Sequence, residues 1–422
     1  MPERTRRGRI LYFATLIVAI ASGIFLRLPS SLFTDGAPLH AVASIHPTPK
    51  FAGIGFDEGL YREYVNVLSK VGLGGYPDII ERYVVLQSKL PASVLPPVRF
   101  LYIFAAYLWY SLFGTEALTA LHNVAALFSI LTLVVATVFA WRLKGPTWAL
   151  GVAALMAFAP TQIHMSQHAL VDGFFAFWAL LCLWLLWENL QVPKRVALLV
   201  AYVLALASLV LTKENAFFVL VAIITLLLCN HWLQIGRLTR QLLLATLLGP
   251  LLGVVILVFL AGGLTNLIAT YQLSVSKNYQ LTYAILTGDG PWYRYLVDLL
   301  LVSPIILILA IGAAFRLDKI QKPELFLGIF VAASYLMMCN IKYGMNLRYA
   351  NMWDMPLRFL AFSQITFIFS SLRRYRVAIA AIAVALLCIV ELRQYIILFV
   401  RYPLYELVSE GLLRALKILK SQ

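Results

Sequence analysis

The run Val98–Phe113, VRFLYIFAAYLWYSLF, decides how this chain is threaded. It opens after Pro96-Pro97 and closes at Gly114. At about 16 residues it approaches the roughly 20 apolar residues that a helix needs to cross a bilayer. It is also rich in aromatics (Phe100, Tyr102, Phe104, Tyr107, Trp109, Tyr110 and Phe113), and Trp and Tyr prefer the membrane–water interface. If the run spans, every later basic cluster falls outside: Arg142 with Lys144, Lys194-Arg195, Arg237 with Arg240, Arg316 with Lys319 and Lys322, and Arg373-Arg374-Arg376. If it lies in the interface or re-enters, all of them face the cytoplasm, as the positive-inside bias requires. The second threading is the expectation.

Composition supports reading the chain as membrane throughout. Its 422 residues are 62% hydrophobic and 13% charged, with a mean hydropathy of +0.85. Soluble domains run at about 45–50% apolar and about 25% charged. The fold class expected is therefore an all-α polytopic membrane protein. The net charge of +15 would suggest nucleic acid in a soluble protein. Here the basic residues stand in short clusters between apolar runs, where they set topology and attract anionic lipid.

Arg4, Arg6, Arg7 and Arg9 place the N-terminus inside, ahead of a first span over 10–28. The opening segment resembles a signal peptide, including Ala19-x-Ala21, but its apolar run continues to Leu28, which favours an uncleaved span. Further spans are expected near 118–141, 147–160, 172–189, 196–211, 214–232, 242–261, 295–314, 325–340, 353–371 and 376–393, about eleven in all. Cys182, Cys229, Cys339 and Cys388 lie in or beside apolar runs without ligand spacing. No phosphate loop, HExxH or nucleic-acid motif occurs.

This threading collects chemistry on the outer side. The external segment 29–117 holds interfacial helices, one of them in Gly53–Lys70, GIGFDEGLYREYVNVLSK. There Leu60, Tyr64 and Leu68 share a helical face, with Tyr61 and Val65 beside them. Asp57 and Glu58 sit at the start of that helix. Asp57 is either a helix cap or part of a site. His164, His168 and Asp172 lie at a span's outer end, and the two histidines have a spacing that permits either interfacial hydrogen bonding or ligation. Lys213-Glu214 sits between two spans and would pair internally or snorkel. Lys342, Arg348 and Tyr349 precede another span. The loop 262–293 carries Lys277 and the turn Gly288-Asp289-Gly290-Pro291-Trp292. The tail 401–422 reads as an amphipathic surface helix.

Ionisable groups at membrane depth are costly and mark function. Carboxylates here would act as general base or hold a divalent cation. Lys and Arg match a phosphate, whose developing charge they would stabilise as it leaves.

At these residues the chain resembles the GT-C glycosyltransferases that use polyprenyl-phosphate sugars: the dolichyl-phosphate-mannose protein mannosyltransferases and the aminoarabinose-transferase-like group. The match covers most of the chain to about residue 370. It is carried by Phe56-Asp57-Glu58-x-x-Tyr61; by Pro96-Pro97 with Leu112-Phe113-Gly114 and Arg142-x-Lys144-Gly145; by Ala159-Pro160 and Ser166 to Asp172; and by Gly290-Pro291-Trp292-Tyr293-x-Tyr295-Leu296 with Pro304, Arg348-Tyr349 and Pro356. The resemblance implies a GT-C-like domain over 1–400, a short tail over 401–422, and an active site on the extracytoplasmic face of a prokaryotic plasma membrane. It implies transfer of a sugar from a polyprenyl-phosphate donor to a protein, lipid or glycan acceptor. Asp57 would be the base or acceptor-orienting carboxylate, with Glu58 and Asp172 as further site carboxylates. Arg348, with Lys213, Lys342, Tyr349 and His168, would hold the lipid phosphate. Some relatives use a divalent cation, for which Asp57 and Asp172 are the candidate ligands. Where the family often has Arg or His after the serine, this chain has Gln167 and then His168. The alternative function is a transporter or flippase of lipid-linked sugars, which would show internal repeats and helices broken near the midplane.

Overall fold

The computed structural model describes residues 6–47, 55–280, 290–340, 345–372 and 375–419. Every regular element among them is helical. Six described helices are long and apolar enough to cross a membrane, or seven if one bent pair counts as a span. They include α1 (Arg6–Arg27), α5 (Ala117–Lys144), α8 (Val171–Gln191), α10 (Ala216–Leu233) and α11 (Arg240–Leu260), with a last one over Arg376–Arg401 that contains α17 (Arg376–Tyr395). Shorter apolar helices, α9 (Val196–Thr212) and α14 (Pro304–Ala314) among them, fill the bundle.

Two expected spans are broken. The one near 147–160 divides into α6 (Pro146–Ala157) and α7 (Pro160–Ser166), bent by 60°. The one near 295–314 divides into α13 (Arg294–Val302) and α14 at Ser303-Pro304. Both second halves begin with proline, which fits a helix's first turn but not its interior. The first break interrupts the helical ladder, and buried Arg27 hydrogen-bonds carbonyls both at the break and in its own helix. Its guanidinium donates to Met156 O at 2.7 Å, Ala157 O at 3.0 Å and Gly23 O at 2.9 Å. At α9–α11, Gly249 and Gly253 allow the backbones to approach closely. A Cβ on Gly253 would meet Ala207 O at 2.9 Å and Val210 Cβ at 2.8 Å.

Three shorter helices cover one end of the bundle: α2 (Phe56–Val71), α3 (Tyr76–Lys89) and α4 (Phe100–Phe113). The 14 residues of α4 rise about 21 Å, short of the roughly 30 Å of hydrocarbon core. It packs on α2, α5 and α9 and stops at Gly114, whose φ of 62° is left-handed. The buried face of α2 is Leu68 with the flanking Tyr61 and Val65 of the expected face, while Leu60 and Tyr64 are half-buried. The helix is rotated by about one residue because Glu58 is drawn inward with Tyr61, one turn below it. Tyr61, Val65 and Leu68 join a cluster with Tyr102, Ile103, Leu121, Val124 and Phe174, separate from the main core.

Ionic groups occupy both ends of α8. At its C-terminal end Arg142 forks onto Glu188 at 2.7 and 2.8 Å, and Lys144 pairs with Glu324 of α15 (Lys322–Met338). Sixteen residues earlier, about 24 Å along the helix, stands Asp172.

Candidate active site

The N-terminus of α2 separates its two carboxylates. Asp57 and Glu58 are 100° apart around the helix, so each meets different partners. Glu58 is turned inward. It accepts from the backbone N–H of Gly55 at 3.1 Å and of Ala169 at 2.8 Å. His168 Nδ1 lies 3.1 Å from the same carboxylate, and His122 Nε2 lies 3.8 Å from it. The Gly55 bond closes the first turn of α2, and the Ala169 bond ties it to the α7–α8 corner. Burial works against ionising Glu58, but the His168 bond and the His168 and His122 charges hold its carboxyl below the usual range. Glu58 is a buried anchor.

Asp57 faces a cavity of about 580 Å³ whose lining includes Arg99, Glu214, Asn215, Arg348, Tyr349, Tyr405 and Glu406. Opposite it stands Arg348, on a 3-10 turn over Leu347–Trp353 that begins where the Asn346 side chain accepts from Arg348 N–H at 3.0 Å. Three carboxylates surround this guanidinium: Asp57 at 2.9 Å, Glu406 at 3.4 Å and Asp172 at 3.7 Å. Asp172, in the first turn of α8, also receives Lys213 Nζ at 2.5 Å. Lys213 lies in an extended link between α9 and α10, its ammonium 4.1 Å from the centroid of the Tyr349 ring. Burial lowers the Lys213 pKa, with Asp172 working the other way.

The sequence-derived candidates divide. Asp57, Asp172, Lys213, Arg348 and Tyr349 converge on one locus. Glu58 and His168 form an adjoining layer, with the His168 ring edge-on to Tyr405 at 5.0 Å. Lys342 and the turn at 288–289 lie outside the described residues. Lys213 and Glu214 do not pair with each other: Lys213 turns to Asp172, and Glu214 receives a two-pronged contact from Arg99. Burial would raise Glu214, but Arg99 holds it down, to about 2.

The expected metal site does not fit the side chains present. Asp57 and Asp172 are both engaged by Arg348, and Asp172 by Lys213 as well, so cationic side chains fill the position a divalent ion would take. Among the described residues, no three His, Cys, Asp or Glu side chains stand together at ligand spacing.

Three participants were missed by sequence reasoning. Arg99 is the only charge in the aromatic run 98–113, and an ionisable group at membrane depth is itself a signal. Tyr405 and Glu406 belong to the tail expected to lie on the surface as a helix. Among its described residues only α18 (Ser409–Ala415) is α-helical. Residues 402–408 fold inward instead, fixed where Leu347 N–H donates to Leu407 O at 3.0 Å, and Asn346 donates to Glu406. Pro403 rules out a continuous helix through this link. Burial raises the Glu406 carboxyl, opposed by Arg348.

No family model matches the sequence, and no characterised relative matches it. Solved structures do match. ArnT from Cupriavidus metallidurans in the apo state aligns with 97% of this chain and 75% of its own, at TM-score 0.52 and 16% identity. The same protein bound to undecaprenyl phosphate gives 0.52 and 17% over 98% and 76%. The archaeal oligosaccharyltransferase AglB from Archaeoglobus fulgidus, in complex with an inhibitory peptide and a dolichol-phosphate, gives 0.59 and 13% over 93% of this chain and 56% of that one. The A. fulgidus oligosaccharyltransferase has also been solved with Zn and sulfate, and that structure gives 0.59 and 15% over 90% and 53%. The chain thus spans little more than half the length of the archaeal enzyme. The chain shares its fold with ArnT and with the archaeal oligosaccharyltransferase, the GT-C-like all-helical architecture expected from the sequence.

Proposed function

We propose that this chain is a glycosyltransferase that moves a sugar from a polyprenyl-phosphate donor to an acceptor on the extracytoplasmic side. The observation that carries the proposal is the shared guanidinium: Arg348 faces the cavity with Asp57 at 2.9 Å, backed by Asp172 and Lys213. An arginine so placed presents a planar fork to a phosphate. A carboxylate beside it is within reach of a nucleophile approaching the phosphate-bearing carbon. One wall of the cavity is apolar, with Phe217 and Val275 more than half exposed, which suits a lipid chain entering from the bilayer.

In this mechanism Asp57 accepts the proton of an acceptor hydroxyl or amine, or orients it. The acceptor's lone pair attacks the anomeric carbon. The bond from that carbon to the phosphate oxygen breaks, and its electron pair leaves with the lipid phosphate. Arg348 stabilises the charge that develops, while Lys213 and Asp172 keep Arg348 in place. No metal step is needed in this account. The transporter alternative ranks behind it because the carbonyls at the α6–α7 break are hydrogen-bonded by Arg27 and not left for a ligand.

Asp57→Asn keeps the size of the side chain and removes the base. It is expected to lower transfer from a polyprenyl-phosphate sugar by at least the 10² typical of losing a general base, with the melting temperature within a few degrees of wild type. Transfer at the wild-type rate by the purified variant would refute the role, and lipid-linked sugar flipping without transfer by the wild type would favour the alternative.

A further inference from the structure

Two uncharged side chains in the cavity have buried polar atoms without a hydrogen-bond partner: Asn215, through both its oxygen and its nitrogen, and Tyr405, through its hydroxyl. Asn215 is 1% exposed. A buried amide left this way costs about 1–3 kcal/mol unless something satisfies it.

The ordinary structural task for an asparagine at this place is absent. Asn215 is the N-cap of α10, and Asn is among the best N-caps because its side chain can accept from the helix's first N–H groups. Here no such bond forms. Its φ of −60° and ψ of −12° are already helical, whereas a capping residue is extended and turns its side chain back over the helix. The amide is instead one of the cavity's lining groups, next to the Glu214–Arg99 pair.

We propose that Asn215 binds the sugar ring of the lipid-linked donor, and that the ring it selects is neutral and hydroxyl-bearing. This rests on the glycosyl-transfer reading above. An amide offers one acceptor and two donors, and a phenol offers one of each, so together they complement ring hydroxyls. A charged substituent would need a countercharge. Each charged side chain lining the cavity is already ion-paired: Asp57 and Glu406 with Arg348, and Glu214 with Arg99. The phosphate of the donor engages Arg348, and the sugar is one bond away, within the same cavity as Asn215.

The test is binding of three probes to the purified full-length chain in lipid nanodiscs: bare undecaprenyl phosphate, the same lipid carrying a neutral hexose, and the same lipid carrying an amino-pentose. Wild type is expected to bind the hexose lipid about tenfold more tightly than either of the others, the gain of one to two satisfied hydrogen bonds. Asn215→Ala should erase that gain and change affinity for the bare lipid by less than twofold. Its melting temperature should not fall, because the side chain removed holds nothing in the unliganded fold. Asn215→Asp, which keeps the acceptor and loses the donors, should also lose the preference. Equal weakening of bare and sugar-bearing lipid, an intact hexose preference in Asn215→Ala, or a wild-type preference for the amino-pentose lipid would each overturn the assignment. If Asp57→Asn still abolishes transfer in that event, the glycosyl-transfer reading survives and only the Asn215 inference falls; if no probe binds the wild type, both fall.

Discussion

Glu58 and Asp57 are neighbours in sequence with different physical situations. Asp57 is turned to the cavity, whereas Glu58 accepts two backbone N–H groups and faces His168 and His122. Hydrogen bonds to a charged acceptor are worth about 1.5–3 kcal/mol, so Glu58→Gln should destabilise by roughly 1–3 kcal/mol at neutral pH. The pH dependence has a definite sign. The folded carboxyl titrates below its ordinary 4.5, so its stabilisation is complete above that value and is lost as pH falls below it. The melting-temperature gap between wild type and Glu58→Gln should be open above the carboxylate range and close as the pH falls below it. A gap undiminished well below that range would contradict the assignment. The pair Lys213–Asp172 is of another kind, because both partners are buried. Removing one member of a buried pair costs about 3–5 kcal/mol, so lost activity in Lys213→Ala needs a folding measurement before it is assigned to catalysis.

At the scale of elements, the site is assembled where helices begin or break. Asp57 and Asp172 occupy the first turns of α2 and α8, Lys213 the link between α9 and α10, and Arg348 a 3-10 turn. Such positions leave backbone and side chains free to face a cavity. The segment 402–408 closes this assembly, and its contact with α2 is tight. A Cβ added at Gly55 would come within 2.3 Å of the Tyr405 ring. That ring packs on His168, and the Tyr405 carbonyl lies 3.1 Å from His164 Nε2, so the ring cannot swing aside alone. Gly55→Ala is therefore expected to lift the tail, lower transfer by about tenfold or more, in line with displaced site groups, and expose the bond after Arg401 to trypsin. Unchanged tryptic digestion together with full activity would show that the tail is not seated against α2.

At the scale of the whole molecule, charge divides the two ends. Arg142, Lys144, Arg195, Arg237, Arg240 and Lys322 stand at helix ends or links of the bundle, and the positive-inside bias assigns them to the cytoplasm. With that assignment, which we propose for this chain, the cavity opens outside. Ser88→Cys, on exposed α3, should react with a membrane-impermeant maleimide in intact cells, and Arg195→Cys only after permeabilisation. Three native cysteines are buried, so background should come mainly from Cys229. The reverse labelling pattern would invert the threading and place the cavity inside.

Hydropathy and charge clusters made the all-helical membrane class legible, because burying apolar residues in lipid needs only composition and run length. The motif residues Asp57, Asp172, Lys213 and Arg348 were legible as well, since an ionisable group beside apolar runs is anomalous on its face. Their partners were not legible. Which residue Lys213 chooses, which face α2 buries and how a C-terminal segment reaches the first loop all depend on contacts far apart in sequence. Arg348 meets Asp57 across 291 positions, and Asn346 meets Glu406 across 60. A local pattern carries no term for such pairings. Only the packed bundle decides them, by satisfying some buried charges and leaving others, as at Asn215, for a ligand.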